Sequence, residues 1–323
     1  VRLFIYITQE IILSLASKIQ TYIKTNPRFS LTDLYEQFGG NYQKHSIRAR
    51  VYENTKVIRV GRGSYVLAGA ELEATIAHAD SREYIFEIMK IATRYDLIFF
   101  DIPYSTKAQR SGGNGNRNMA TYDLISPDEF RNILLESQKM LRTEQSQIYF
   151  MISNGVSSKK EAQTYIDAFG DTSLKLNDTG SYTKLTSSGK VCNMGQYEMP
   201  PELILSFSHD GLIRDCTGDG SYTLDFKMER PKLARYGGFQ THKPLKMLQQ
   251  MVGQATFLGE AVLDMFAGSG EMLSAALGLG RKVHVVEKSL QAIDNFILPR
   301  MEHYAAQSRN WYQTSIFDYG LAA

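Results

Sequence analysis

Apolar positions recur along this chain with two periods, and the alternation between them predicts its elements. Ile12, Leu15, Ile19 and Ile23 fall at helical spacing, and the pattern stops before Asn26-Pro27, where proline disfavours helix at the residue preceding it. Ser30 is placed to cap a short helix from Leu31 to Phe38, which Gly39-Gly40 ends. A third helix, roughly Lys44 to Glu53, carries Lys44, His45, Arg48 and Arg50, and two short strands, Val57–Val60 and Ser64–Leu67, flank Gly61-Arg62-Gly63 as a hairpin. The stretch from Ala74 to Ser81 is polar to neutral and reads as a connector. Beyond it come a helix over Tyr84–Thr93, a strand-like run Tyr95–Phe100 ending at Asp101, a helix over Pro127–Arg142 and a strand over Gln147–Ile152. Strand, helix and strand in that order make a crossover unit suited to a parallel sheet. From Asn154 to Tyr236 the pattern weakens, and only Glu202–Phe207 stands out as a strand. Two further strands, Glu260–Leu263 and Lys282–Val286, bracket a helix over Glu271–Leu279.

Bulk properties narrow the picture only a little. At 323 residues there is room for one large domain and a small one. A net charge of +2 does not by itself predict nucleic-acid binding, which local clusters of Lys and Arg would have to supply. Cys192 and Cys216 are the only cysteines; they form no metal-ligand cluster, so no metal is expected, and their scarcity fits a reducing cytoplasm. No apolar run is long enough to span a bilayer, so no membrane association is expected. The chain opens on Val1 rather than Met, which leaves open a trimmed chain or an alternative start codon.

Chemistry concentrates where strands end. A buried strand finishing in an acid or a glycine-rich turn is where an open α/β sheet places ligands. In Asp264-Met-Phe-Ala-Gly-Ser-Gly270, Gly268 and Gly270 let the backbone approach a ligand that a Cβ would obstruct, and the following helix points its amide-rich N-terminus the same way. Asp264 is placed to accept hydrogen bonds from an ammonium group, and Phe266 to cover one side of a cofactor. Glu287, 17 residues past Gly270 at the end of the next strand, is placed to bind ribose hydroxyls. A dinucleotide site is the main competitor, but its three-glycine pattern is absent.

This loop resembles that of S-adenosylmethionine-dependent methyltransferases, and Asp101-Ile-Pro-Tyr104 resembles the Asp-Pro-Pro-Tyr tetrapeptide of the DNA amino-methyltransferases. Catalytic motif first and cofactor motif second resembles their beta class, a circularly permuted arrangement. The resemblance implies that Asp101 and the backbone carbonyl of Ile102 hold the two N–H bonds of a base amine. Tyr104 would stack on a base rotated out of the duplex. Ile102 stands where the family has a first proline; Pro103 still biases it toward extended backbone. Phe239-Gln-Thr-His-Lys-Pro-Leu245 resembles the family's Thr-Gln-Lys-Pro segment, which implies cofactor contacts from Thr241 and Lys243, with His242 where Gln or Glu is usual. Asp318, after the strand-like Trp311–Phe317, is the candidate for the cofactor's adenine amine. The Gly/Asn-rich run Ser111–Asn118 reads as a loop able to close on DNA, with Lys107, Arg110 and Arg117 for phosphates.

The N-terminal helices and hairpin resemble a winged helix-turn-helix, whose third helix enters the major groove; Lys44, Arg48, Arg50 and Arg62 are its DNA-binding candidates. The expected fold is α/β: a three-layer Rossmann-like methyltransferase sheet, circularly permuted, with an N-terminal winged-helix module. The expected boundaries are 1–70 for that module, 71–80 for a connector, 81–153 for the catalytic half, 154–235 for a target-recognition insert and 236–323 for the cofactor half. The implied reaction is methyl transfer from S-adenosylmethionine to adenine N6 in double-stranded DNA by base flipping, as in restriction-modification systems. The alternatives are N4 of cytosine, an RNA or protein-amide substrate, or a non-catalytic DNA-binding protein on a degenerate fold. A homodimer and a partner nuclease stay open.

Overall fold

The computed structural model describes residues 15–26, 28–52, 57–61, 64–67, 72–90, 93–103, 124–153, 159–194, 197–198, 200–217, 221–229, 242–307 and 311–318. At the N-terminal end lie α1 (Leu15–Thr25), β1 (Arg28–Ser30), α2 (Leu31–Phe38), α3 (Lys44–Tyr52), β2 (Val57–Gly61) and β3 (Ser64–Leu67). The three strands form a small antiparallel sheet in the order β1-β3-β2. Ser30 caps α2 reciprocally: its hydroxyl accepts from Asp33 N at 3.1 Å while the Asp33 carboxylate accepts from Ser30 N at 2.6 Å. Ile19, Ile23, Phe29, Leu34, Ile47 and Val51 make a separate core, against which Leu258 of the larger unit also packs.

The rest of the described chain is organised by one nine-stranded sheet. Its strands come from β4 (Leu72–His78), β5 (Leu97–Asp101), β6 (Gln147–Ser153), β7 (Lys175–Leu185), β10 (Glu202–Ser208), β11 (Phe226–Glu229), β12 (Ala261–Asp264), β13 (Lys282–Glu287) and β14 (Trp311–Asp318); β8 (Asn193–Met194) and β9 (Tyr197–Glu198) pair apart from it. The order is β11-β7-β10-β6-β5-β12-β13-β4-β14, and β10 alone runs antiparallel to both of its neighbours. The helices are α4 (Ser81–Lys90), α5 (Pro127–Ser137), α6 (Lys159–Asp167), α7 (Leu245–Ala255), α8 (Glu271–Gly278) and α9 (Leu298–Gln307). Strand alternation divides them between two faces. Leu97 and Phe99 point into a core with α7, α8 and α9, whereas Ile98 and Phe100 point into one with α4, α5 and α6. The result is three layers, as the apolar pattern predicts.

Two expected boundaries need correction. The connector over 71–80 is instead strand β4, held parallel between β13 and β14. Its buried residues are mostly small, with Ala74 and Ile76 on one face and Ala77 on the other, and its ends are polar, so no long apolar run advertises it. The insert over 154–235 is not set apart from the sheet either: β7, β10 and β11 extend it, while α6 and the segments between these strands lie outside it. Polar residues occupy most of β7, much of which is only half-buried.

Candidate active site

The crossovers on either side of β5 and β12 leave the sheet on opposite faces. After β5 the chain passes to α5, packed in one core; after β12 it passes to α8, packed in the other. Such a reversal opens a crevice at the carboxyl ends of the strands. Asp101 ends β5 and Asp264 ends β12, so both border it, and Glu287 ends the adjoining β13.

The glycine loop is bent over the tip of β13. Ala267 N donates to Val286 O at 3.0 Å, and Gly268 N donates to a Glu287 carboxylate oxygen at 2.7 Å. Gly268 and Gly270 hold φ of 53° and 77°, the left-handed region that other residues occupy at a cost. At Gly270 a Cβ would also come within 3.0 Å of Ile297 Cγ1, so conformation and packing both demand glycine there. Asp264 is 2% exposed and accepts from Phe266 N at 3.1 Å; burial, reinforced by Asp101, Glu287 and Glu271, pushes its carboxyl up to about 8. Burial also lifts Glu287 to about 7, although it accepts from Ser289 N as well as Gly268 N. Phe266 is half-buried beside Phe100, with ring centroids 6.3 Å apart.

A second cluster ties the loop to the segment leading into α7. His242 Nδ1 lies 2.5 Å from Glu271 Oε1 and 2.8 Å from Ser269 Oγ, while Arg300 reaches both Glu271 Oε1 at 2.5 Å and Ser269 O at 2.7 Å. Burial opposes ionisation of Glu271, but the His242 hydrogen bond and the Arg300 charge prevail and hold its carboxyl below the ordinary value. His242, noted in the sequence only as a departure, is therefore part of the scaffold of the glycine loop.

Lys243, expected at the cofactor, borders Asp101. Its ammonium is ion-paired with Asp101 Oδ2, and Glu202 Oε2 lies 3.6 Å away. Lys184 Nζ holds the other Glu202 oxygen at 2.5 Å. Burial raises the Asp101 carboxyl above the ordinary range against the pull of Lys243, whereas at Glu202 the two lysines outweigh burial and keep it low. Neither Glu202 nor Lys184 was singled out by sequence reasoning, because nothing local marks a charge that will be buried at a strand start.

Asp80, just past β4, is a further acid that sequence reasoning missed. Glu287 O accepts from Ala79 N at 3.1 Å, which puts Asp80 beside the tip of β13; Ser81 Oγ donates to Met265 O. Arg82 at 2.5 Å and Lys288 at 3.0 Å balance the Asp80 charge and, overcoming its burial, hold its carboxyl well below the usual range. Asp318 ends β14 opposite His78, one strand farther from Glu287. An acid after the Ala74–His78 alternation was the available signal.

Ile102 is buried and Pro103 half-buried directly after Asp101. Lys44 and Arg48 are exposed on α3, with the Lys44 ammonium 5.4 Å from the Tyr35 ring centre; Arg50 lies in the same helix. Tyr104, Thr241, Arg62, Lys107, Arg110 and Arg117 lie outside the described residues. Among the described residues no group of three His, Cys, Asp or Glu could hold a metal ion, and no helix is long and apolar enough to cross a membrane. What the crevice offers is a set of buried, under-compensated carboxyls beside a glycine turn, suited to a ligand with positive charge and hydroxyl groups.

A family model described as DNA methylase matches residues 95–298. Among solved structures, M1.HpyAVI in complex with SAM superposes with a TM-score of 0.53 at 15% identity, covering 71% of this chain and 98% of the other. M1.HpyAVI alone gives 0.52 at the same identity and coverage. The PvuII DNA methyltransferase (cytosine-N4-specific) gives 0.49 at 14% identity, covering 77% of this chain and 91% of the other. At such identities these likenesses speak to the fold alone. No curated protein matches the sequence.

Proposed function

The chain belongs to the DNA methylase family, and on that premise we propose that it methylates the N6 amine of adenine in duplex DNA. S-adenosylmethionine is the methyl donor; when bound, it supplies an electrophilic methyl group on a sulfonium. The residues fit it. Asp264 and Glu287 are carboxyls whose burial leaves them short of positive charge, which a ligand carrying an ammonium and a sulfonium would restore. Asp264 would hold the ammonium, Glu287 the ribose hydroxyls and Phe266 one flank, with Gly268 and Gly270 keeping the loop open to it.

Asp101, on the other lip of the crevice, carries the reading. An aryl amine is a poor nucleophile because its lone pair is delocalised into the ring. A carboxylate oxygen of Asp101 and the Ile102 carbonyl accepting its two N–H bonds would draw the nitrogen toward tetrahedral geometry and free that pair. After transfer the nitrogen sheds one proton, which Asp101, hydrogen-bonded to it, would receive. Positioning and fixed acceptors then supply most of the rate. The target atom lies inside the stack, so the base must be flipped out, with Tyr104 to stack on it. Asp rather than Ser at position 101 favours adenine N6 over cytosine N4 by family resemblance.

The order of β5 before β12 supports the permuted, beta-class reading. The helices α1 to α3 with the β2–β3 hairpin support a winged-helix module, in which Lys44 and Arg48 meet DNA phosphates. The test is transfer of labelled methyl to duplex DNA, followed by nuclease digestion and mass spectrometry of the nucleosides. N6-methyladenine is expected from the wild type and none from Asp101→Ala, with cofactor affinity changed far less than transfer. N4-methylcytosine alone would overturn the adenine reading, and transfer to RNA but not duplex DNA would overturn the substrate.

A further inference from the structure

We propose that Glu202 is a positioning residue for transfer: it receives the Lys243 ammonium when Asp101 turns to the target amine. The inference rests on the reading of Asp101 as the amine's acceptor. Asp101 is to accept an N–H bond of the amine, and Lys243 competes for it, since its ammonium already engages Asp101 Oδ2. An amine that takes Oδ2 displaces Lys243, and the fold limits where the ammonium can go. The segment that carries it is anchored on both sides, by His242 in the Glu271–Ser269 cluster and by the buried Pro244 at the start of α7. Only the side chain can swing.

Glu202 supplies the second seat. It is the first residue of β10 and pairs with Ser153 at the end of β6, while Asp101 pairs with Met151 of the same strand, so both acids lie at one edge of the sheet. Glu202 is 7% exposed. Its Oε1 is held by Lys184, whereas its Oε2 is buried without a hydrogen-bond partner among the described residues and lies 3.6 Å from the Lys243 nitrogen. A buried carboxylate oxygen left in that state is costly. A movement of under about 1 Å would convert it into a hydrogen-bonded ion pair. Two acids thus share one mobile lysine, and Lys184 fixes the second acid in place to receive it. No proton changes hands in the exchange; an ammonium moves between two carboxylates, and the positive charge that leaves Asp101 is replaced by that developing on the methylated amine.

The experiment is a double-substitution cycle read by single-turnover methyl transfer to duplex DNA, with S-adenosylhomocysteine affinity measured for each protein. Glu202→Gln is expected to slow transfer at least tenfold and to leave cofactor affinity within about twofold. Glu202→Asp, which restores the charge, should recover most of the rate. In a Lys243→Met background, compared only with that background, adding Glu202→Gln should change the rate less than twofold, because no ammonium remains to be received. A Glu202 that merely supported the fold would cost the same factor in both backgrounds, and that result overturns the proposal. So does unimpaired transfer by Glu202→Gln, or complete loss of transfer in Lys243→Met, which would mean that the ammonium acts on the substrate itself. If Glu202→Gln does not fold, the same cycle with Glu202→Met, which also lacks the charge, gives the answer: a slowing that vanishes in the Lys243→Met background supports the exchange, and one that persists, or no slowing at all, overturns it. Asp101→Asn, run alongside, separates the two levels. Normal transfer by that variant would remove the catalytic reading of Asp101, whereas its inactivity with independent effects at Glu202 and Lys243 would remove only the exchange.

Discussion

Asp264→Asn should stabilise the protein that lacks cofactor while weakening its ability to bind one. The carboxyl is 2% exposed and held up to about 8, against 3.8 for an ordinary aspartate. Between those values the folded chain keeps a proton that the unfolded chain has lost. Unfolding therefore releases that proton, and stability falls as pH rises. The slope approaches ~1.4 kcal/mol per pH unit. Relative to a neutral side chain of the same shape, the wild type is penalised by about 2 kcal/mol at pH 5 and by about 5 kcal/mol at pH 8, as orders of magnitude. Asparagine is that side chain. It keeps an oxygen for the Phe266 amide and cannot ionise. Urea denaturation of both proteins without cofactor, at half-unit steps from pH 5 to pH 8, reads the difference directly. The variant's advantage should widen with pH. Its affinity for S-adenosylmethionine, measured by calorimetry, should fall at least tenfold, consistent with loss of a charge-assisted hydrogen bond of ~1.5–3 kcal/mol. A difference that does not change with pH, or a variant less stable at pH 8, would refute the account of a carboxyl held ready for a cation.

Gly270→Val should lose cofactor binding and about 1–2 kcal/mol or more of stability, since φ is 77° and Ile297 blocks the Cβ; full-strength binding by a folded variant would contradict this. His284 is buried between the hydroxyls of Tyr84 and Tyr95, and burial lowers it to about 4 from 6.5. As pH falls from 6.5 to 4 the unfolded chain takes up a proton that the folded one refuses, so the wild type loses about 3 kcal/mol that His284→Gln should not lose; acid denaturation curves of equal slope would be the contrary result. Replacing both Lys44 and Arg48 with Ala should weaken duplex binding and make its salt dependence shallower by about two phosphate contacts. An unchanged slope in a binding titration would mean that α3 meets something else.

The strand tips were legible because each ends a strong apolar run with a residue of distinct chemistry. Tyr95–Phe100 into Asp101, Glu260–Leu263 into Asp264 and the glycines, and Lys282–Val286 into Glu287 are local signals, and the sheet brings them together at one edge. The pairing of Lys243 with Asp101 was not legible. The two are 142 residues apart, and the distance in sequence carries no hint of it. The motif around Lys243 points to the cofactor, and the acids it pairs with come together only once β5 and β10 flank β6. Strand β4 was hidden by small side chains, since Ala74, Ala77 and Ala79 fill space in two cores without producing a hydrophobic run. The strands β7 and β11 were hidden by the opposite circumstance, because half-buried strands at one side of the sheet tolerate polar residues at many positions.

The position of β4 has a consequence for how the chain can be made. Its two partners, β13 and β14, both begin beyond residue 280, so during synthesis β4 has neither neighbour until the chain has grown past that point. His78, for example, meets Lys288 across 210 residues. Until then both edges of β4 are open hydrogen-bonding templates, the kind of surface that invites pairing with other chains. Closing contacts of such span makes folding slow. A nascent chain halted before residue 280 would leave the sheet unclosed between β12 and β4, so the crevice can be assembled only after β13 has emerged.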